Sequence, residues 1–161
     1  MAFMEITLLD DGWVIRPCGI DDLEEVSKLV LQEALRSIAE DFDEAGWKDF
    51  QEYLSAEQLL FRLSTGSKGL VLHGEDDKLA GYVEVSGNQI LLFFVSEKAQ
   101  GQKLATRLFE KLCEGLALKE LYVNASSQGH DFYLAQGFEA MGDWVTTAGV
   151  KHCPMRWTAG S

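Results

Sequence analysis

The chain has 161 residues, with 14 Lys plus Arg against 26 Asp plus Glu, a formal charge of −12. That length suits one domain with a core that needs no disulfide or metal staple, and 15 Gly with only 2 Pro exclude collagen-like or disordered tracts. The acid excess excludes a nucleic-acid partner, because phosphate binding needs clustered Lys and Arg; it serves either solubility or the attraction of a cationic substrate.

Cys18, Cys113 and Cys153 are an odd set whose spacing matches no zinc pattern. Free thiols point to a reducing, cytoplasmic setting and no metal is expected. His152 and Cys153 are adjacent, but neighbours on an extended segment face opposite ways. The stretch Met1 to Asp10 lacks a basic start and a long apolar run, so it does not read as a signal peptide. No apolar stretch approaches the roughly 20 residues that cross a bilayer, so no membrane partner is expected.

In chain order, Trp13-Val14-Ile15-Arg16 reads as a strand closed by Pro17 and Gly19. Leu23, Val26, Leu29, Val30 and Ala34 recur at three- and four-residue spacing, which predicts an amphipathic helix over 21–37. Residues 40–44 are acidic and expected on the surface, and Gly46 breaks the pattern. Ser55 caps a further helix reaching Leu63. Leu70-Val71-Leu72, 79–85 and 89–95 are apolar runs joined by two polar turns, an antiparallel meander. Leu104, Ala105, Leu108, Phe109, Leu112 and Leu116 mark another helix. Leu121-Tyr122-Val123 is a strand, 129–136 a short helix, and Phe138 opens a β-hairpin ending near Trp157. The order predicts one mixed α/β domain over 13–161 behind an N-terminal extension over 1–12.

The chemistry concentrates in 91–105, where an apolar strand runs through a small polar loop straight into a helix. The orphan N–H groups at a helix start bind phosphate oxygens. Gln100, Gly101, Gln102, Lys103, Leu104 and Ala105, with Val95 five residues before the Gln, resemble the signature of the GNAT N-acetyltransferase family. A second block, Val123-Asn124-Ala125 followed by Phe132-Tyr133-Leu134-Ala135-Gln136-Gly137-Phe138, is similar to that family's Asn, Phe-Tyr, Gly-Phe pattern. Gly149-Val150-Lys151-His152-Cys153-Pro154-Met155 resembles its closing hairpin and Trp13-Val14-Ile15-Arg16-Pro17 its first strand, so the likeness spans residues 13 to 157.

The resemblance implies a GNAT fold of the mixed α+β type: a central, mostly antiparallel sheet of about seven strands flanked by about four helices. It implies direct acetyl transfer from acetyl-CoA to a small-molecule or peptide amine, with homodimers common in the family. The pantetheine arm would lie along Phe93, Phe94 and Val95, residues 100–105 would cradle the pyrophosphate, and Asn124 would hold the amide linkages. Tyr133 matches the general acid that protonates the leaving sulfur. An alkyl amine must first lose a proton, at a cost of about 4–5 kcal/mol at pH 7. A carboxylate or an ordered water chain could accept that proton, with Glu84 the candidate carboxylate unless it is simply an exposed strand residue; Gln89 occupies a position where Glu or His is common and can hold a water but not titrate. Lys103 stands where the signature has a Gly. Phe42, Trp47, Phe50 and Tyr53 either pack in the core, as aromatics at such spacings more often do, or line an acceptor pocket with Asp41, Asp43 and Glu44 at its mouth, an arrangement suited to a cation. The competing reading is a non-catalytic acyl-CoA-binding module of the same fold.

Overall fold

The computed structural model describes residues 5–101 and 103–160. Its described residues form nine strands and five α-helices. Two strands open the chain, β1 (Thr7–Leu8) and β2 (Val14–Pro17). Three helices follow: α1 (Leu23–Ser37), α2 (Glu44–Tyr53) and α3 (Ala56–Ser64). The meander is β3 (Lys68–His73), β4 (Leu79–Ser86) and β5 (Gln89–Val95). Then come α4 (Leu104–Leu116), β6 (Glu120–Ala125) and α5 (His130–Ala135). The chain closes with β7 (Glu139–Ala140), β8 (Val145–Thr147) and β9 (Val150–Thr158).

The sheet runs β1-β2-β3-β4-β5-β6-β9-β7, with β8 on the first residues of β9. Every pair is antiparallel except β5 with β6. Side chains on β3 alternate between two cores, as a strand buried on both faces requires. Leu70 and Leu72 join the core under α4 and α5 with Leu108, Leu112, Leu121 and Met155. Val71 joins the core under α1 and α3 with Val26, Val30, Leu59 and Tyr82.

The mostly antiparallel mixed fold agrees with the sequence reading, but the sheet has nine strands rather than about seven and five helices rather than about four. The segment read as an extension contributes β1, paired with β2.

Gly46 does not interrupt structure: it lies inside α2. A Cβ there would sit 2.7 Å from the Gly149 carbonyl oxygen, so its smallness seats α2 against the turn between β8 and β9. The acidic 40–44 segment is not wholly exposed either. Asp41 is buried because its carboxylate accepts hydrogen bonds from the Ser127 amide at 2.9 Å and the Ser127 hydroxyl. Gln102 lies outside the described residues.

Candidate active site

The sheet opens at its single parallel pair. β5 and β6 meet through Gln89 with Tyr122 and Ile90 with Val123, and beyond Ile90 they part. The cause lies within β5. Ile90 pairs with Val85 and Leu92 with Glu84, so Leu91 has no partner on β4. One extra residue is a β-bulge, which bends and twists its strand.

Beyond the bulge the pairing dictates where the backbone points. The Ser96 amide donates to the Ala80 carbonyl at 2.7 Å, which makes Val95 and Gly81 a non-hydrogen-bonded pair. By alternation, Leu92 and Phe94 direct their N–H and C=O groups to β4, and Phe93 and Val95 direct theirs into the gap. The Gln100 side-chain amide donates to the Val95 carbonyl at 3.1 Å, pinning the following loop to the strand. The Val95 N–H and both Phe93 groups are left facing the gap.

That loop passes through a 3₁₀ turn (Glu97–Ala99) and delivers the chain to α4. Gly101 has φ +86° and Lys103 has φ +59°. The family's Gly at this position therefore has a backbone reason, since a left-handed residue suits Gly best. No described side chain caps α4 and no acid lies in its first turn, so its orphan N–H groups are available to an anion. The helix start lines a cavity of about 260 Å³ with Val95, Gln100, Gly101 and Lys103. A larger cavity of about 820 Å³ shares Val95, Gln100, Ala105 and Phe132 with it. A strand edge with free amides, leading to an uncapped helix start, fits an extended thiol arm ending in a diphosphate.

Tyr133 lines the larger cavity with Asn124 and Gln89. Its ring is held edge-on by Phe93 (centroids 6.3 Å apart), Phe132 (5.4 Å) and Phe138 (5.2 Å). Burial pushes its phenol above the ordinary tyrosine value, so it stays protonated at neutral pH. Phe93, Phe94, Val95, Gln100 and Ala105 line the same cavity, and Gly101, Lys103 and Leu104 line the smaller one.

Glu84 lines neither cavity. It is fully buried, with Arg62 donating from Nε at 2.6 Å and from a terminal nitrogen at 3.2 Å, and with the Tyr82 hydroxyl donating at 2.9 Å. Its oxygens hold α3 to the sheet rather than face the gap. The same Arg62 donates to the Tyr53 carbonyl at 2.8 Å and stacks over the Tyr53 ring.

An aromatic wall of the same cavity is built by Phe42, Phe50 and Tyr53. Trp47 supports it from behind, edge-on to Phe42 at 5.5 Å. Asp43 is turned away to cap α2, accepting from the Gly46 amide at 2.7 Å. Asp41 and Asp49 line the cavity, as does Glu33, which accepts from Arg36 at 2.7 and 3.0 Å. Sequence reasoning missed Glu33, Arg36 and His152, and the folded chain supplies them from α1 and β9. Glu33 and Arg36 pair with each other within α1, but only the packing of α1 and β9 around one cavity brings them together with His152.

No curated protein matches the sequence. Solved structures do match. A GCN5-related N-acetyltransferase from Rhodopseudomonas palustris superposes with a TM-score of 0.74 at 19% identity, over 96% of this chain and 98% of its own. The PaiA N-acetyltransferase from Thermoplasma acidophilum, solved in complex with coenzyme A, gives 0.71 at 22% identity over 91% and 98%. A GNAT-family acetyltransferase from Staphylococcus aureus gives 0.69 at 15% identity over 91% and 98%. These likenesses establish the fold. The family model described as Acetyltransferase (GNAT) domain matches residues 38–159, which take in the parted strands, the loop into α4 and the closing hairpin. With that match across most of its length, the chain belongs to the GNAT acetyltransferase family.

Proposed function

We propose that the protein transfers an acetyl group from acetyl-CoA to a primary amine, with both substrates bound at once. The observation that carries this is the gap between β5 and β6, which opens onto the uncapped start of α4. The pantetheine arm would extend the sheet along Phe93 and Val95 by backbone hydrogen bonds, as an added strand does. The Val95 N–H would meet the thioester carbonyl oxygen as negative charge develops there. Gln100, Gly101, Gln102, Lys103, Leu104 and Ala105 would cradle the diphosphate, with the Lys103 ammonium adding charge. Asn124 would bind the arm's amides. The amine would enter from the aromatic side, where Phe42, Phe50 and Tyr53 suit an apolar body and Asp41 and Asp49 favour a cationic head. Tyr133 would protonate the leaving sulfur. A cytoplasmic location, expected from the unpaired cysteines, agrees with this reading.

One observation favours a second reading, an acyl-CoA-binding module without catalysis. Gln89, which lines the cavity at the root of the gap, has no proton to exchange. Calorimetry with acetyl-CoA, followed by thiol release against a panel of amines, separates the two. The enzyme binds acetyl-CoA and releases thiol only when an amine is present. Binding without amine-dependent release supports the module, and absence of binding rejects both.

A further inference from the structure

We propose that His152 is the catalytic base that takes the proton from the incoming amine; this rests on the acetyl-transfer reading above. His152 is half-buried on β9 and lines the larger cavity. Its neighbours Cys153 and Met155 are in the core beneath α4 and α5, together with Tyr133. Alternation along the strand turns His152 to the other face, towards α1 and α2. The Val150 backbone two residues earlier bridges to Phe42, so His152 stands beside the aromatic wall. Tyr133 and His152 thus approach the gap from opposite faces of the sheet. One is placed for the sulfur, the other for the nitrogen.

The tautomer follows from a single contact. His152 Nδ1 lies 3.2 Å from the Val150 carbonyl oxygen. A carbonyl only accepts, so in the neutral ring this contact is a hydrogen bond when Nδ1 carries the hydrogen, which leaves the lone pair on Nε2. The other charged groups lining the cavity are otherwise engaged or poorly suited. Glu33 is paired with Arg36, Asp41 with Ser127, and Asp49 is exposed at the rim. Lys151 is a cation held 5.2 Å over the Trp144 ring. Tyr53 and Tyr133 are phenols raised by burial and do not serve as bases near neutrality. Imidazole is the side chain suited to exchanging protons between pH 5 and 8.

The proton count closes. An alkylammonium carries three N–H protons. One passes to His152 Nε2 and on to solvent, and the freed lone pair forms the C–N bond. The C–S bond breaks with its electron pair on sulfur, which takes the Tyr133 proton. The second ammonium proton restores the phenol through water, and the third remains on the amide.

The test compares the full-length protein with H152Q and H152N, following thiol release from acetyl-CoA with spermidine, phenethylamine and an alanine-initiated peptide between pH 6 and 9.5. For whichever amine is turned over, kcat/KM should fall about 100-fold at pH 7 in both variants. The deficit should shrink as rising pH deprotonates the amine unaided. The acetyl-CoA Kd should stay within twofold, which shows that the variants are folded. A wild-type enzyme that is active alongside variants within threefold of it at pH 7, or a deficit that does not change with pH, overturns the base while leaving acetyl transfer intact. A wild-type protein that releases no thiol with any of the amines overturns both.

Discussion

Tyr133 and Glu84 show how differently two polar residues from a sequence motif and a strand fare once the chain is folded. Tyr133 is enclosed by three aromatic rings yet borders the cavity, and burial favours its neutral form. Y133F should therefore lower kcat by about 100-fold while leaving the acetyl-CoA Kd within twofold, measured by steady-state kinetics and calorimetry. Equal kcat in the mutant would remove the phenol from the acid role. Glu84 is fully buried against Arg62. Removing one partner of a buried pair costs about 3–5 kcal/mol, because the other charge is stranded. E84Q should lower unfolding free energy by that order in urea melts, with kcat per folded molecule within twofold of wild type. A large loss of kcat at unchanged stability would return the base to Glu84.

At the scale of the element, two backbone details govern the site. Lys103 adopts φ +59° immediately before α4, a conformation that costs a residue with a Cβ roughly 1–2 kcal/mol. K103G should relieve part of that and raise stability by up to about 1 kcal/mol, since Gly also loosens the unfolded chain. Thermal melts read that gain. If instead K103G is destabilised, the left-handed turn is not the strained one. The second detail is Gly46. On propensity alone, Ala in a helix interior gains about 1 kcal/mol over Gly. The Cβ would press on the Gly149 carbonyl at 2.7 Å, and Gly149 itself has φ +78° in the turn that abuts the acceptor wall. G46A should thus be destabilising in urea melts and should raise KM for the amine more than KM for acetyl-CoA. A stabilised G46A with unchanged KM would show that the contact has room to give.

For the whole molecule, ionisable groups that burial holds neutral set the alkaline limit. Burial pushes the Cys18 thiol up to about 12 and Cys113 up to about 11, from an ordinary 9.0. The phenols of Tyr82 and Tyr133 are raised too, by burial first and, for Tyr82, by the Glu84 charge next. Each group binds its proton more tightly folded than unfolded. Their contribution to stability is therefore complete below about pH 9 and is lost as pH rises through about 11–12. Melting temperature should fall steadily from pH 9 upward, and C18A should flatten the first part of that fall. A melting temperature that is level from pH 8.5 to 11 would contradict the raised thiols of the half-buried Cys18 and Cys113.

The periodic apolar runs were enough to place α1, α3, α4 and the meander, because helix and strand spacing is a local property of the chain. The residues from Val95 to Ala105 and from Asn124 to Phe138 were legible for a similar reason: their meaning lies in order and spacing along the sequence. Only the tertiary structure decided what Gly46, Asp41, Glu84 and His152 do. Gly46 reads as a helix breaker until the Gly149 carbonyl is brought against it. Asp41 reads as a surface acid until Ser127 arrives from 86 residues away. The gap itself depends on one unpaired residue, Leu91, within a run that looks like uninterrupted strand. Charge compensation, close packing and strand register arise between segments remote in sequence, and the chain expresses them only once those segments meet.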